Sequence, residues 1–299
     1  MKIEQVKTVV VVGAGAMGQQ IAMNTAMAGR GAQYKVILCD SFPSAIEKAK
    51  KWAAEYLAGR VAKGRLTEQE ASRISDSLVI TDQVDEAASE ADIIIEAIIE
   101  KVEAKRELFA RVSKLCKPET VLATNSSNIV SSKLADVTEN PERLLNIHYF
   151  NPAIVMQLVE IVRGPHTSDE TIELAKAFAS STGKAPIVIN KEIPGFVVNR
   201  INAAVTHEAC SLLEKGIASV EDIDLACEKG LNYPMGPFRL MDLTGIDVNY
   251  YVRCDRYAES HDEYDKPSPL VKEKFEKGEY GRKTGKGWYE YPQNKKDTK

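Results

Sequence analysis

The feature that most constrains the fold is a glycine-rich turn between an apolar run and a helical run, in the stretch TVVVVGAGAMGQQIA. The GxGxxG spacing is formed by Gly13, Gly15 and Gly18. Such glycines permit a tight turn, let the backbone approach a pyrophosphate and let the helix pack closely on the strand. The helix that starts at Ala16 and Met17 offers free N–H groups to phosphates. The stretch therefore predicts a dinucleotide-binding βα unit, the alternative being an ordinary glycine-rich turn.

A carboxylate at the end of the next apolar run bears on the choice of cofactor. Asp40 closes the run YKVILCD, where an acid commonly binds the adenosine ribose hydroxyls. It favours NAD, because the 2'-phosphate of NADP would lie against the carboxylate. Arg30 and Lys35 precede this strand, so NADP is disfavoured rather than excluded. The alternative for Asp40 is a helix-capping residue.

Short β-rich runs alternate with helical segments over the first two thirds of the chain. Five runs have the length and branching of strands buried on both faces: TVVVVGAG, YKVILCD, SLVIT, ADIIIEAI and TVLATN. RLLNIHYF, QLVEIVRG and APIVIN add further strands. This order predicts an α/β Rossmann-type fold with a doubly wound, mostly parallel sheet. Only helical patterns follow Pro194 and Gly195, which predicts a domain of residues 1–191 and an all-α domain of residues 192–299.

Composition and charge narrow the classes of partner. A hydrophobic share of 44% and a charged share of 27% are typical of soluble globular proteins. The net charge of -4 argues against a nucleic-acid-binding surface, and no apolar run approaches the roughly 20 residues of a membrane span. We expect the first strand, rather than a signal peptide, at the N-terminus. The five cysteines are widely spaced without a CxxC pair, which favours the cytoplasm and argues against a metal site.

His148 and Glu160 are the main candidates for proton chemistry. His148 interrupts the apolar run LLNIHYF, and Glu160 interrupts the run QLVEIV. A carboxylate in such a strand is costly to bury without a partner. On neighbouring strands the glutamate would fix the imidazole tautomer and stabilise its protonated form, which suits a general base. The alternatives are a hydrogen-bonded core histidine and a glutamate that points outward at a sheet edge.

Two further polar stretches are candidates for substrate binding. ATNSSNIVS follows the strand TVLAT, so Ser127 and its neighbours lie at a strand's carboxyl end, where open α/β sheets bind ligands. The same residue types are ordinary turn formers and helix caps. Asn199, in PGFVVNR, either faces a ligand from the first turns of a helix or caps the hinge after Gly195.

These motifs together resemble the L-3-hydroxyacyl-CoA dehydrogenases, including bacterial 3-hydroxybutyryl-CoA dehydrogenases. The resemblance runs from about Val9 to Tyr291 and is most specific in HYFNP, PGFVVNR and YPMGPF. In order, the matching elements are GAGAMG, the Asp40 strand end, IEAIIE, ATNSSN, HYFNP, LVEIV, PGFVVNR, YPMGPF and GRKTGKGWYEY.

The resemblance implies a role for each matching residue. His148 is implied as the general base, oriented by Glu160, while Ser127 and Asn199 hold the oxygens of the substrate. The residues implied to seat the nicotinamide cofactor, besides the glycine-rich turn and Asp40, are Glu100, Lys105, Ser127, Asn151 and Lys283.

The resemblance also implies a helical hairpin at about residues 44–76 that cradles coenzyme A. Lys63 and Ser127 are the implied substrate contacts. The cations that lie near the coenzyme's phosphates under this hypothesis are Lys48, Lys51, Arg60, Lys63 and Arg65. A lysine-rich helix is more often a solvated face, which is the alternative.

Two departures from the family pattern bear on specificity. Asn128 stands where many relatives have a second small hydroxyl residue, which concerns substrate positioning. GRGAQYKV replaces a shorter, histidine-containing turn before the second strand, which concerns cofactor choice.

The predicted activity is reversible oxidation of a short-chain (S)-3-hydroxyacyl-CoA, such as 3-hydroxybutyryl-CoA, to the 3-oxoacyl-CoA with NAD. Two alternatives remain: a related dehydrogenase of a free hydroxy acid or sugar acid, as in the lambda-crystallin-like group, and a cofactor-binding protein without catalysis. The apolar helix FVVNRINAAVTHEACSLLE favours self-association through the C-terminal domain, and the resemblance implies that the assembly is a homodimer.

Overall fold

The computed structural model describes residues 1–292, which form two compact units. The first unit is Met1–Phe196 and the second begins at Val197. The first contains an eight-stranded sheet with flanking helices, and the second is built of helices. Within residues 1–292, no helix has both the length and the apolar character that a membrane span requires.

The sheet of the first unit has the strand order β3-β2-β1-β4-β5-β6-β7-β8. Its strands are β1 (Thr8–Val12), β2 (Lys35–Cys39), β3 (Leu78–Thr81), β4 (Ile93–Glu96), β5 (Val121–Thr124), β6 (Leu144–Tyr149), β7 (Leu158–Val162) and β8 (Ala185–Ile189). All neighbours pair in parallel except β6 and β7, which are antiparallel. The predicted doubly wound, mostly parallel sheet is confirmed. Strand order reverses between β1 and β4, which opens a crevice at their carboxyl ends.

Helices cover both faces of this sheet. They are α1 (Ala16–Ala26), α2 (Pro43–Ala62), α3 (Glu68–Ser77), α4 (Val84–Glu90), α5 (Val102–Leu115), α6 (Ser132–Ala135) and α7 (Asp169–Ser181). The pair α2 and α3 forms the helical hairpin after the second strand. Its turn ends in a capping box, in which Thr67 Oγ1 accepts from the Glu70 N–H and the Thr67 N–H donates to the Glu70 carboxylate.

The apolar core lies in two layers, one on each face of the sheet. Central strands are buried on both faces, as predicted. The same expectation is wrong for β3, where Val79 is 42% exposed, because β3 is an edge strand with one neighbour. Along β6, Leu145, Ile147 and Tyr149 enter the core beside α7, while Asn146 and His148 point to the opposite face.

The second unit packs five helices around a small apolar core. They are α8 (Val198–Glu214), α9 (Val220–Gly230), α10 (Pro237–Thr244), α11 (Ile246–Ser260) and α12 (Pro269–Glu276). Buried Asp224 accepts hydrogen bonds from the Phe238 and Arg239 N–H groups at the start of α10. Buried Asp242 accepts from the Trp288 and Tyr289 N–H groups. YPMGPF and GKGWYEY thus have structural roles within this unit.

Two lysines flank a carboxylate in the same unit. Lys274 Nζ lies 2.7 Å and Lys286 Nζ lies 3.0 Å from the Glu279 carboxylate. Hydrogen bonds from Lys274 and then from Lys286 lower the pKa of Glu279 to about 2. The carboxylate is therefore ionised at every pH at which the protein is ordinarily handled.

Candidate active site

The glycine-rich turn connects β1 to α1 as the GxGxxG spacing requires. Gly13 has a φ of +107°, and a Cβ there would lie 2.5 Å from the carbonyl oxygen of Ala97. A Cβ on Gly18 would overlap the carbonyl oxygen of Gly13. Gly15 is the N-cap of α1 and a Cβ there would meet nothing within 4 Å. The backbone at Gly15 is thus open to a ligand, which fits a phosphate approaching the N–H groups of Ala16 and Met17.

Asp40 follows β2 and holds the glycine-rich turn. Its carboxylate accepts a hydrogen bond from the Ala14 N–H at 2.8 Å and one from the Phe42 N–H at 2.9 Å. The two cations considered for NADP are engaged elsewhere. Arg30 forms an ion pair with Glu70 at 2.8 Å, and Lys35 forms one with Glu90.

A cleft of about 430 Å³ opens where β1, β4 and β5 end. Its lining brings the glycine-rich turn together with the two polar stretches that follow β4 and β5. The lining residues are Gly15, Ala16, Met17, Ala97, Ile98, Glu100, Lys105, Asn125, Ser126, Ser127 and Asn128. A nicotinamide dinucleotide fits this lining, since the phosphates would face the helix N-terminus and Asp40 lies at the end of the neighbouring strand.

Lys105 lies at the cleft, but its side chain is 1% exposed and is bound to acids of the protein. Its Nζ lies 2.5 Å from Glu96 and 3.2 Å from Glu100. Glu96 is fully buried and also accepts from Thr124 Oγ1 at 2.6 Å and from the Ile98 N–H at 2.7 Å. Sequence reasoning missed Glu96. The available signal was a carboxylate in the apolar run ADIIIEAI, the same signal that singled out Glu160.

His148 lies between Glu160 and Ser127. The register of β6 and β7 places His148 directly opposite Glu160, so that both side chains point to one face. His148 Nδ1 lies 2.8 Å from Glu160 Oε2, and His148 Nε2 lies 2.9 Å from Ser127 Oγ. Because an ionised carboxylate only accepts hydrogen bonds, Nδ1 carries a proton and the lone pair of neutral Nε2 accepts from the Ser127 hydroxyl. Nε2 is thus the atom that can take up a proton.

Aromatic side chains enclose the imidazole. The ring of Phe150 lies 4.7 Å and the ring of Phe196 lies 5.4 Å from the His148 ring, measured between centroids. The Gly195 N–H donates to the Ser127 carbonyl at 2.9 Å, which ties the segment before Phe196 to the serine. The walls lower the local dielectric, so the Glu160 carboxylate acts on the imidazole more strongly than it would in water.

Two asparagines fix the loop that carries Ser127: half-buried Asn125 and buried Asn146, the second of which sequence reasoning missed. Asn146, two residues before His148, accepts from the Ser131 N–H and donates to the Ser126 and Ile129 carbonyls. Asn125 Oδ1 accepts from the N–H of Tyr149. An asparagine in an apolar run such as RLLNIHYF was the only sign of this role.

Three further predicted residues lie on other elements of the chain. Asn151 is exposed in the loop after β6. Asn199 is in the first turn of α8, and Lys283 lies near the end of the second unit, with its Nζ 2.6 Å from the Asp247 carboxylate. Their roles stay predictions.

The hairpin forms a second cleft of about 360 Å³ in the first unit. Its lining combines cations with apolar and aromatic side chains: Glu55, Tyr56, Gly59, Arg60, Lys63, Arg65, Ile154 and Val155. The Nε of Arg60 is buried and has no hydrogen-bond partner among residues 1–292. Lys48 and Lys51, earlier on α2, do not line this cleft. Within residues 1–292, no group of three or more His, Cys, Asp or Glu side chains is arranged to hold a metal ion.

Comparison with known proteins identifies a family. The NAD binding domain of 3-hydroxyacyl-CoA dehydrogenase matches residues 8–193, and the C-terminal domain of 3-hydroxyacyl-CoA dehydrogenase matches residues 195–291. A probable 3-hydroxybutyryl-CoA dehydrogenase of Bacillus subtilis is 37% identical over 96% of this chain and 98% of its own length.

Solved structures agree with this assignment. The (S)-3-hydroxybutyryl-CoA dehydrogenase of Ralstonia eutropha superposes with a TM-score of 0.90 at 36% identity, covering 97% of this chain and all of that one. A diketoreductase that acts on dicarbonyl compounds superposes with a TM-score of 0.83 at 29% identity, covering 96% of this chain and 99% of its own. The chain belongs to the 3-hydroxyacyl-CoA dehydrogenase family.

Proposed function

We propose that the protein interconverts a short-chain (S)-3-hydroxyacyl-CoA, such as 3-hydroxybutyryl-CoA, and the 3-oxoacyl-CoA with NAD. The observation that carries the proposal is the arrangement of His148 between the Glu160 carboxylate and the Ser127 hydroxyl, beside the cleft after β4 and β5. A dehydrogenase of an alcohol needs a base for the hydroxyl proton, and this imidazole has the tautomer for it.

In the oxidation, His148 Nε2 takes the proton of the 3-hydroxyl group. The Glu160 carboxylate, 2.8 Å from Nδ1, stabilises the imidazolium as it forms. The Ser127 hydroxyl, which donates to Nε2 in the structure, turns to the substrate oxygen, where Asn199 is its proposed partner. A nicotinamide dinucleotide held by the glycine-rich turn and Asp40 would supply the acceptor for the hydride that leaves C3. In the reverse direction the imidazolium returns the proton.

The proposed cofactor site is the cleft at the strand ends. The residues that we assign to cofactor binding are Gly13, Gly15, Ala16, Met17, Gly18, Asp40, Glu100, Lys105, Ser127, Asn151 and Lys283. Two observations support NAD over NADP: Asp40 lies at the end of β2, where a 2'-phosphate would meet its negative charge, and Arg30 and Lys35 already pair with glutamates. We expect kcat/KM with NADH to exceed kcat/KM with NADPH. Asp40→Ala should lower the ratio of these two values.

The proposed site for the coenzyme half of the substrate is the hairpin cleft. Lys63, Arg60 and Arg65 offer positive charge to phosphates, and Tyr56 offers a ring to the adenine. We assign Lys63 to the coenzyme end of the substrate and Ser127 to the reacting end. In this scheme residues 1–191 bind the cofactor and residues 192–299 serve the substrate and the dimer contact.

We also propose that the protein is a cytoplasmic homodimer. All five cysteines are free, as in proteins of reducing compartments. Apolar side chains of the second unit are exposed, among them Ile201, Leu231 and Val248. Sedimentation of the purified protein should give twice the chain mass, and a monomer at micromolar concentration would remove this part of the proposal.

The decisive test follows NADH absorbance with acetoacetyl-CoA or with free acetoacetate. The wild type should consume NADH with the thioester alone. His148→Asn should abolish turnover, while His261→Asn, the same change at an exposed histidine of the second unit, should not. Equal rates on free acetoacetate would favour a dicarbonyl or hydroxy-acid enzyme. No turnover of either compound, with NADH bound, would favour a binding protein.

A further inference from the structure

A buried lysine outside the constellation of His148 holds the loop between β6 and β7. Lys184 lies just before β8 and is 9% exposed. Its Nζ donates to the Ala153 carbonyl at 2.5 Å and to the Met156 carbonyl at 2.8 Å. Burial lowers the pKa of Lys184. In these two bonds the ammonium group contacts carbonyls and no carboxylate. Burying it costs desolvation free energy that apolar side chains at this position would avoid.

The loop that Lys184 holds runs from the imidazole of His148 to the hairpin cleft. It begins after His148 with Phe150, whose ring packs on the imidazole, and continues through exposed Asn151. Ile154 and Val155 then form the wall of the hairpin cleft that lies across from the cations of α2. Val155 is 66% exposed, so the loop presents an apolar side chain to the cleft rather than to the core.

The anchor acts on the backbone at this wall. The N–H groups of Val155 and Met156 both donate to the Pro152 carbonyl at 2.9 Å, which closes a single turn. The carbonyls of Ala153 and Met156 lie on this turn and have Lys184 Nζ as their donor, so that Ile154 and Val155 are bracketed by the two fixed carbonyls. Without the ammonium group, the turn would have two buried acceptors to satisfy and would open.

We propose that Lys184 is a positioning residue for the coenzyme half of the substrate. Its ammonium group holds Ile154 and Val155 in place as the apolar wall of the hairpin cleft, opposite Arg60 and Lys63. The inference rests on the proposed function, since it assumes that the hairpin cleft receives a nucleotide. A lysine that served only stability would affect all ligands alike.

The test compares two thioesters that share the reacting group. Acetoacetyl-CoA has the nucleotide, and acetoacetyl-N-acetylcysteamine lacks it. Lys184→Met should raise KM for acetoacetyl-CoA about tenfold, because the ligand must then order the loop itself. The KM for the truncated thioester and the Kd for NADH should stay within about twofold. Lys184→Arg, which keeps the charge and the donors, should recover part of the loss.

A control at a second lysine separates positioning from stability. Lys117 Nζ donates to the Glu90 carbonyl at 3.0 Å and to the Asp92 carboxylate at 2.8 Å, near the amino ends of the strands. Lys117→Met should lower the melting temperature and leave the ratio of the two KM values unchanged. The proposal is overturned if Lys184→Met changes both KM values by one factor, or neither, while the melting temperature falls.

Two further measurements keep the proposal testable. Calorimetric titration with coenzyme A itself needs no turnover, so weaker binding to Lys184→Met than to the wild type supports the proposal even if the assigned reaction is wrong. Unchanged coenzyme A affinity overturns it. If Lys184→Met does not fold, Val155→Ser changes the exposed end of the wall. Val155→Ser should raise KM for acetoacetyl-CoA alone. The proposal is overturned if the substitution changes KM for both thioesters by the same factor or changes neither.

Discussion

The charge of Glu160 can be removed with almost no change of shape. In Glu160→Gln, the amide oxygen can still accept the hydrogen bond from His148 Nδ1, so the tautomer can persist. What disappears is a negative charge 2.8 Å from the imidazole, on a side chain with no exposure to water. The substitution therefore tests whether Glu160 assists proton uptake by charge or only orients the ring.

The geometry sets the size of the effect. The charge of an imidazolium is spread over the ring, so the effective separation is about 4 Å, which corresponds to about 4 kcal/mol at an effective dielectric constant of about 20. A neutral hydrogen bond to glutamine retains about 1 kcal/mol of this. The remaining 3 kcal/mol or so corresponds to about 150-fold in kcat if the proton is fully transferred in the transition state, and about tenfold if it is half transferred.

The assay measures kcat for acetoacetyl-CoA reduction and for 3-hydroxybutyryl-CoA oxidation at saturating cofactor. Glu160→Gln should lower kcat for the oxidation by about 10- to 150-fold, with the Kd for NADH unchanged. Glu173→Gln, the same change on the exposed side of α7, should have no effect. A folded Glu160→Gln protein whose kcat is within about twofold of wild type would refute the electrostatic role of this carboxylate.

Three further predictions concern stability. Gly18→Ala should lower the melting temperature by several degrees, through the overlap with the preceding turn, whereas Gly59→Ala, in open space within α2, should raise it slightly. The pKa of Glu279, lowered to about 2, gives stability that is present above the unfolded value of about 4.5 and is lost as the pH falls towards 2. The free energy of unfolding, measured with urea, should therefore change less between pH 7 and pH 3 for Glu279→Gln than for the wild type. Burial lowers the pKa of His166, so the unfolded chain binds the proton more tightly and stability falls as the pH drops below about 6.5. His166→Asn should flatten urea-unfolding stability between pH 7 and pH 5.

The sheet was predictable because its central strands are continuous apolar runs, whose burial on both faces leaves a strong signal in the sequence. The two helices after the second strand were predictable from their sequence pattern, whereas their arrangement as a hairpin was implied only by the resemblance. The run SLVIT, which forms edge strand β3, has the apolar character of a central strand. Its exposure depends on its position at the edge of the sheet, which the local sequence does not encode.

The candidate site was predictable where a polar residue interrupts an apolar run. This signal selected His148 and Glu160, but the pairing itself depends on the antiparallel register of β6 and β7, a long-range property. The same signal was present for Glu96 and Asn146 and was not used. Lys105, predicted to seat the cofactor, has its ammonium group against buried Glu96, a contact that no spacing rule anticipates.

Glu96 and Glu160 pose the same physical problem with different solutions. Both are fully buried carboxylates on strands, and both must find donors to offset their desolvation. Glu96 has Lys105, whose ammonium group can only donate and also lies 3.2 Å from Glu100, so this pair is a fixed element of the structure. Glu160 has His148, an imidazole whose second ring nitrogen is turned towards Ser127. The type of partner, rather than the burial of the carboxylate, therefore decides which of the two pairs can take up and return a proton.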